Sequence, residues 1–206
     1  GVPLNIVMLP GFATGVSLME LAGIEALVTV RQSPGGPVVY QRAISLDALP
    51  VATWYDYFFS VPEARTDLTL TDLPPLYGVE LTISITGAPA CGLAVVGEVS
   101  DLGDTEAGVQ LGIIDYSQKN TDSYGRTSIV KRRFAKRMTA RCVFSRDALP
   151  RVYRLLATSR ATPCVWVGSE ASGHEPLAVY GFYRDFNVDV AYPTLNYCNL
   201  EIEGLI

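Results

Sequence analysis

The side chains able to do chemistry in this 206-residue chain are paired carboxylates, one histidine, four cysteines and one basic run. Glycoside hydrolysis needs two carboxyl groups opposed across a cleft. The candidate couples are Asp115 with Asp122, Asp185 with Asp189, and Glu201 with Glu203. On a strand, even spacing places Asp185 and Asp189, or Glu201 and Glu203, on one face. That is the arrangement of a solvated edge and not of an acid/base couple. The Asp115–Asp122 loop lacks the alternating Asp/Asn pattern that hard-cation ligation favours. His174 stands in a Gly/Glu/Pro loop with no GxSxG elbow, and neither a GxxxxGK[ST] nor a GxGxxG phosphate loop occurs. Cys91, Cys142, Cys164 and Cys198 are 51, 22 and 34 residues apart, which excludes a CxxC zinc site. Each lies in or beside an apolar strand pattern and reads as a buried free thiol; a disulfide would require an oxidising compartment. These residues assign no catalytic residue, no cofactor and no metal ligand.

Two clusters remain. The run Lys131, Arg132, Arg133, Lys136 and Arg137, with Arg141 beyond it, stands out in a chain of net charge −5. It reads either as a solvated strand face paired with carboxylates across a sheet or as a protein–protein contact. Nucleic acid is disfavoured: the chain is acidic overall, and Phe134 alone does not make a base-stacking groove. Glu201 and Glu203, the acidic edge of the last strand pattern, offer a complementary half for a copy-to-copy contact. The second cluster is Trp54, Tyr55, Tyr57, Phe58 and Phe59. Read as a strand, it puts Tyr55, Tyr57 and Phe59 on one face and Trp54 and Phe58 on the other. One face would be core, and the other a platform for a glycan or a partner.

The elements that must position these groups are mostly strands. Val79, Leu81, Ile83 and Ile85 alternate with Glu80, Thr82, Ser84 and Thr86, the clearest period of two in the chain. Leu4–Leu9, Ala26–Arg31, Val38–Gln41, Leu68–Thr71, Leu93–Gly97 and Val109–Tyr116 read as further strands, with Ser33–Gly36 as a hairpin turn. Leu18–Ala26 fits a strand better than a short helix, because Gly23 interrupts it. Asn120–Gly125 is a polar turn, and 129–144 holds one long strand or two. Asp147–Arg160 is the one helix: Asp147 is placed to cap it, Pro150 fits its first turn, and Leu149, Val152, Tyr153 and Leu156 form one apolar stripe. The chain closes on a hairpin turning at Tyr192–Pro193. In it Phe182, Arg184, Phe186, Val188 and Val190 alternate with Tyr183, Asp185, Asn187 and Asp189, and Cys198, Leu200 and Ile202 alternate with Asn199, Glu201 and Glu203. The expected architecture is mainly β: a β-sandwich or jelly-roll-like domain over 1–88, then an α+β domain over 89–206 with a helix near 147–160 and a C-terminal β-hairpin. No apolar run reaches the roughly 18–20 residues of a membrane span, and the N-terminus has no secretory signal pattern.

Several segments together resemble virion proteins of tailed bacteriophages. They are Asp115–Lys119 with Thr121, Asp122 and Gly125; Val130–Arg137; Arg160–Trp166; Tyr180–Phe186; and Leu200–Leu205. The resemblance spans roughly residues 91–206; over 1–90 it rests on Trp54–Phe59 and Leu73–Pro75. It implies a minor tail or tail-tip component, in the tail tip, baseplate or adaptor region of the virion, without enzymatic activity. Its partners would be other copies of itself and neighbouring tail proteins. It also implies an additional N-terminal segment ahead of Gly1. The alternative is a carbohydrate-binding module that recognises host surface glycan through Trp54, Tyr55 and Tyr57 during host attachment.

Overall fold

The computed structural model describes residues 2–48, 53–59, 63–171, 173–190 and 194–205. It divides into two compact units, Gly1–Ser100 and Asp101–Ile206. The division falls after the strand Ala90–Gly97, which a boundary at residue 88 assigns to the second domain. That strand pairs instead with Gly15–Ala22 of the first unit.

The first unit runs β1 (Leu4–Met8), β2 (Phe12–Ala13), β3 (Gly15–Ala22), β4 (Glu25–Arg31), β5 (Val38–Ser45), β6 (Asp47–Ala48), α1 (Trp54–Phe59), β7 (Glu63–Ala64), β8 (Leu68–Leu70), β9 (Leu76–Tyr77), β10 (Glu80–Thr86) and β11 (Ala90–Gly97). Two antiparallel sheets, in the orders β1-β10-β4-β5 and β11-β3-β8, contribute to one core. The alternation read from the sequence is what builds it. Leu81, Ile83 and Ile85 of β10 and Ala26, Val28 and Val30 of β4 are buried with Val16 and Leu18 of β3 and Leu68 and Leu70 of β8. Each large aliphatic side chain so buried contributes about 1.5–3 kcal/mol. The Ser33–Gly36 turn closes β4 onto β5, with the Gly36 N–H donating to the Ser33 carbonyl at 2.8 Å. The run expected as strand over 18–26 is strand as far as Ala22; it breaks at Gly23, and the next strand begins at Glu25.

One expectation fails in this unit. Trp54–Phe59 is a short helix, not an aromatic strand. β-propensity expresses packing against neighbouring strands, and this segment joins no sheet. A single helical turn brings its rings together at i, i+4 instead, Trp54 against Phe58 at 6.4 Å and Tyr55 against Phe59 at 4.9 Å between centroids. The inward and outward faces expected of it therefore do not exist. Trp54, Tyr55, Phe58 and Phe59 are all exposed.

The second unit runs β12 (Asp104–Thr105), β13 (Gln110–Asp115), β14 (Gln118–Thr121), β15 (Thr127–Val130), β16 (Phe134–Ser145), α2 (Leu149–Thr158), β17 (Cys164–Val167), β18 (Ala178–Asp189) and β19 (Leu195–Gly204). Its antiparallel sheet has the order β12-β16-β19-β18-β17, with β13 also on β16. Val152 and Leu156 of α2 share a buried cluster with Met138, Cys142 and Phe144 of β16 and Cys198, Leu200 and Ile202 of β19. The stripe is narrower than expected, because Tyr153 is 58% exposed. Asp147 does not cap α2. It lies within a 3₁₀ turn, Arg146–Ala148, and Ala148 holds the N-cap position without a side-chain hydrogen bond. Pro150 sits in the first turn, where a missing N–H costs nothing.

The closing hairpin forms between β18 and β19; its turn at Tyr192–Pro193 lies outside the described residues. The β19 faces are as expected, with Cys198, Leu200 and Ile202 buried. In β18, Phe186 and Val188 keep the expected core face, but the residues before them do not. The register shifts between Tyr183 and Asp185, so that Tyr183 opposes Ile202, Phe186 opposes Leu200 and Val188 opposes Cys198. Arg184 is the extra residue of a bulge, which changes the parity of everything before it. Tyr183, not Phe182, therefore joins Phe186 on the core face. There its ring meets Trp166 and Phe186 edge-on, at 5.9 and 5.6 Å, and its hydroxyl donates to the Leu156 carbonyl at 2.8 Å. Between Gly181 and Gly204, which oppose each other across the same pair of strands, there is no room for a side chain at position 181: a Cβ would run into the Glu203 carbonyl.

Candidate functional site

The basic run stands at the base of a ribbon that leaves the second sheet. Beyond β13 and before β16 the chain forms the β14–β15 hairpin, paired from Gln118 with Val130 to Thr121 with Thr127. The tip is tied by Asp122, whose carboxylate accepts the N–H groups of Tyr124 at 3.0 Å and Arg126 at 2.7 Å. The base is tied by Asp115 and Ser117. The Ser117 N–H donates to the Asp115 carboxylate at 2.8 Å, and the Arg132 N–H donates to the Ser117 hydroxyl at 3.0 Å. The side-chain hydrogen bond from Ser117, then its backbone N–H, hold the Asp115 carboxyl below the usual carboxylate range. Sequence reading found the Asn120–Gly125 turn and left 129–144 as one strand or two. There are two, broken at Lys131–Arg133.

Every residue from Gln118 to Phe134 is exposed. A two-stranded hairpin alone is marginally stable in water, so this one relies on the sheet at its base or on a partner. The strand beside it, β13, lies at the sheet edge and is also exposed at Leu111 and Ile113. Leu111 opposes Met138, Ile113 opposes Lys136, and Asp115 opposes Phe134. Leu111, Ile113 and Phe134, with Lys136 and Asp115 among them, thus share the sheet face by which Met138, Cys142 and Phe144 enter the core. Past the reach of that core the same face stands open, with Leu111 44%, Ile113 67% and Phe134 52% exposed.

The structure divides the basic residues into two groups. Arg137 forms an ion pair with Glu201 across β16 and β19 of its own sheet. Arg141 pairs with Glu106 at 3.4 Å and lies over the Tyr197 ring at 4.2 Å. Glu203 opposes Arg137 across β16 and β19 and Phe182 across β18 and β19. Arg137, Glu201 and Glu203 are thus brought together within one copy. Lys131, Arg132 and Arg133 lie instead in the exposed link of the ribbon, where the Arg132 guanidinium donates to Gln118 Oε1 at 3.1 Å. Lys136 is half-buried on β16 opposite Ile113.

The aromatic candidates lie elsewhere, in the first unit. Trp54 and Tyr55 are 80% and 72% exposed on α1; the Tyr57 side chain falls outside the described structure. The four cysteines are free thiols. Cys142 and Cys198 oppose each other in the core between β16 and β19. Burial raises both thiols, and Cys198, with Cys142 beside it, is pushed up to about 11. His174 Nδ1 is bonded to the Ser169 hydroxyl at 2.8 Å in an exposed loop. Among the described residues, no helix is long and apolar enough to cross a membrane.

Sequence reasoning missed the ribbon as an object. The available signal was the polar, Gly-containing turn Asn120–Gly125 followed by the short β-branched stretch Thr127–Val130. Nothing local says that such a hairpin stands clear of the sheet. No family model matches the chain, and no curated protein matches it in sequence.

Proposed function

We propose that this chain is a structural component of a bacteriophage tail, working in the tail tip, baseplate or adaptor region through contacts with its own copies and with neighbouring tail proteins. The observation that carries the reading is the exposed ribbon of residues 118–130 with the open apolar edge of β13 at its base. Exposed strand edges are templates for pairing with another chain, and soluble proteins usually blunt or cover them. A chain that keeps such an edge beside a projecting hairpin is built to contact something. The resemblance of residues 91–206 to tailed-phage virion proteins supports a virion as the setting. The test is to purify tailed particles from the culture that expresses the chain, identify their proteins by mass spectrometry, and label them with gold-conjugated antibody. The chain is expected in the particle with label at the tail; its absence from particles overturns the reading.

The exposed rings of α1 favour a second reading, a carbohydrate-binding module for host surface glycan. Sugar rings stack on exposed Trp and Tyr faces much as other apolar rings do. A glycan array separates the two. Glycan binding that is lost in Trp54→Ala and Tyr55→Ala supports the module, whereas a purely structural component binds none.

A further inference from the structure

Charge is distributed unevenly along this chain. Residues 115–137 hold seven of the 16 Lys and Arg and two of the 21 Asp and Glu, a local charge of +5. The rest of the chain, with nine basic and 19 acidic residues, stands at −10. The basic segment is the exposed ribbon with its base, and it adjoins the uncovered apolar face of Leu111, Ile113 and Phe134.

We propose that the ribbon is a self-assembly arm: the basic link Lys131–Arg133 and the open face of β13 in one copy seat on the acidic body of a second copy. The inference rests on the structural reading above and names its partner surface. Charge selects this occupant. Ribbon directly against ribbon brings +5 against +5. Ribbon against body brings opposite signs together, which steers encounter and fixes orientation. A free polyanion would meet the same arm but would be repelled by the remaining surface at −10. The contact therefore joins different patches on the two copies, and such contacts either close reciprocally into a dimer or repeat into a ring or filament. The apolar residues supply what charge does not. Leu111, Ile113 and Phe134 gain the cover that their own helix does not provide, while Arg132 and Arg133 set the approach. Arg137, already paired with Glu201 in its own sheet, has no part in the contact.

The experiment is sedimentation velocity on the full chain at low and high salt, with Arg132→Glu/Arg133→Glu and Ile113→Ser as variants. All three positions are exposed, so the variants should keep native near-ultraviolet circular dichroism. The expected result is association of the wild type at low salt, with affinity weakened about tenfold or more by high salt and by charge reversal. Ile113→Ser should also weaken association, without changing its salt dependence. Mixing supplies the arm-against-body readout. The charge-reversed copy keeps its acidic body, so in excess it should accept wild-type arms and draw the wild type into mixed assemblies. A wild type that stays monomeric at low salt overturns the proposal. So does association unchanged in Arg132→Glu/Arg133→Glu, and so does a wild type that binds heparin without associating, which would make the partner a polyanion. Finding the chain in particles while it fails to self-associate would defeat the arm and leave the structural reading intact.

Discussion

Removing the Tyr183 hydroxyl isolates one consequence of the β18 bulge. The Leu156 carbonyl belongs to the last turn of α2, where carbonyls lack intrahelical partners. The Ser159 N–H closes the neighbouring Leu155 carbonyl at 2.9 Å, and the Tyr183 hydroxyl closes that of Leu156 at 2.8 Å. Both partners are buried, Tyr183 being 8% and Leu156 0% exposed. Tyr183→Phe keeps the edge-on ring contacts with Trp166 and Phe186 and deletes only the donor. A buried acceptor left unsatisfied costs about 1–3 kcal/mol, and each kcal/mol lowers the midpoint of a domain of this size by about 4–8 °C. The assay is urea unfolding of the full chain in a Trp54→Phe background, where Trp166 is the one remaining indole and reports on the second unit. The urea midpoint should fall by roughly 0.5–1.5 M, with slope unchanged. Tyr153→Phe, at an exposed ring, should stay within about 0.5 kcal/mol of the parent. A Tyr183→Phe midpoint equal to the parent's would refute the placement of Tyr183 on the core face, and with it the bulge at Arg184.

Two further perturbations address the same sheet. Gly181→Ala puts a methyl group against the Glu203 backbone, which cannot swing aside as a side chain can. It should cost about 1–3 kcal/mol or more, read as a lower Trp166 unfolding midpoint, and an Ala variant as stable as the parent would show that the two strands are not so closely apposed. The Cys198 thiol is held neutral in the fold, at about 11 against an ordinary value of 9.0. The unfolded chain releases that proton first as pH rises, so the stability this thiol contributes is present below about pH 9 and is lost on the way to pH 11, up to about 2–3 kcal/mol. Unfolding midpoints across that range should fall less steeply in Cys198→Ala than in the parent. Iodoacetamide should also label Cys198 far more slowly in native than in urea-unfolded protein, and equal labelling rates would contradict its burial.

Much of this protein follows from local pattern. The alternation over Val79–Ile85 and Cys198–Ile202 specifies which side chains share a face, because a strand's side-chain period admits one other choice, and that choice would bury Glu and Ser. The spacing of Val152 and Leu156 specifies the buried line of α2 in the same way, since a helix has one apolar stripe to hide. What periodicity does not contain is whether a face is covered. Trp54–Phe59 has the composition of a strand and is a helical turn that joins no sheet among the described residues. Tyr183 displaces Phe182 from the core because one extra residue, Arg184, is absorbed in pairing with a partner strand that comes later in the chain. Arg137 and Arg133 look alike in one basic run, yet one meets Glu201 across the sheet and the other stands in the open ribbon. These outcomes depend on which distant strand arrives alongside, a property of tertiary pairing, whereas the alternation within each strand is decided by its own residues.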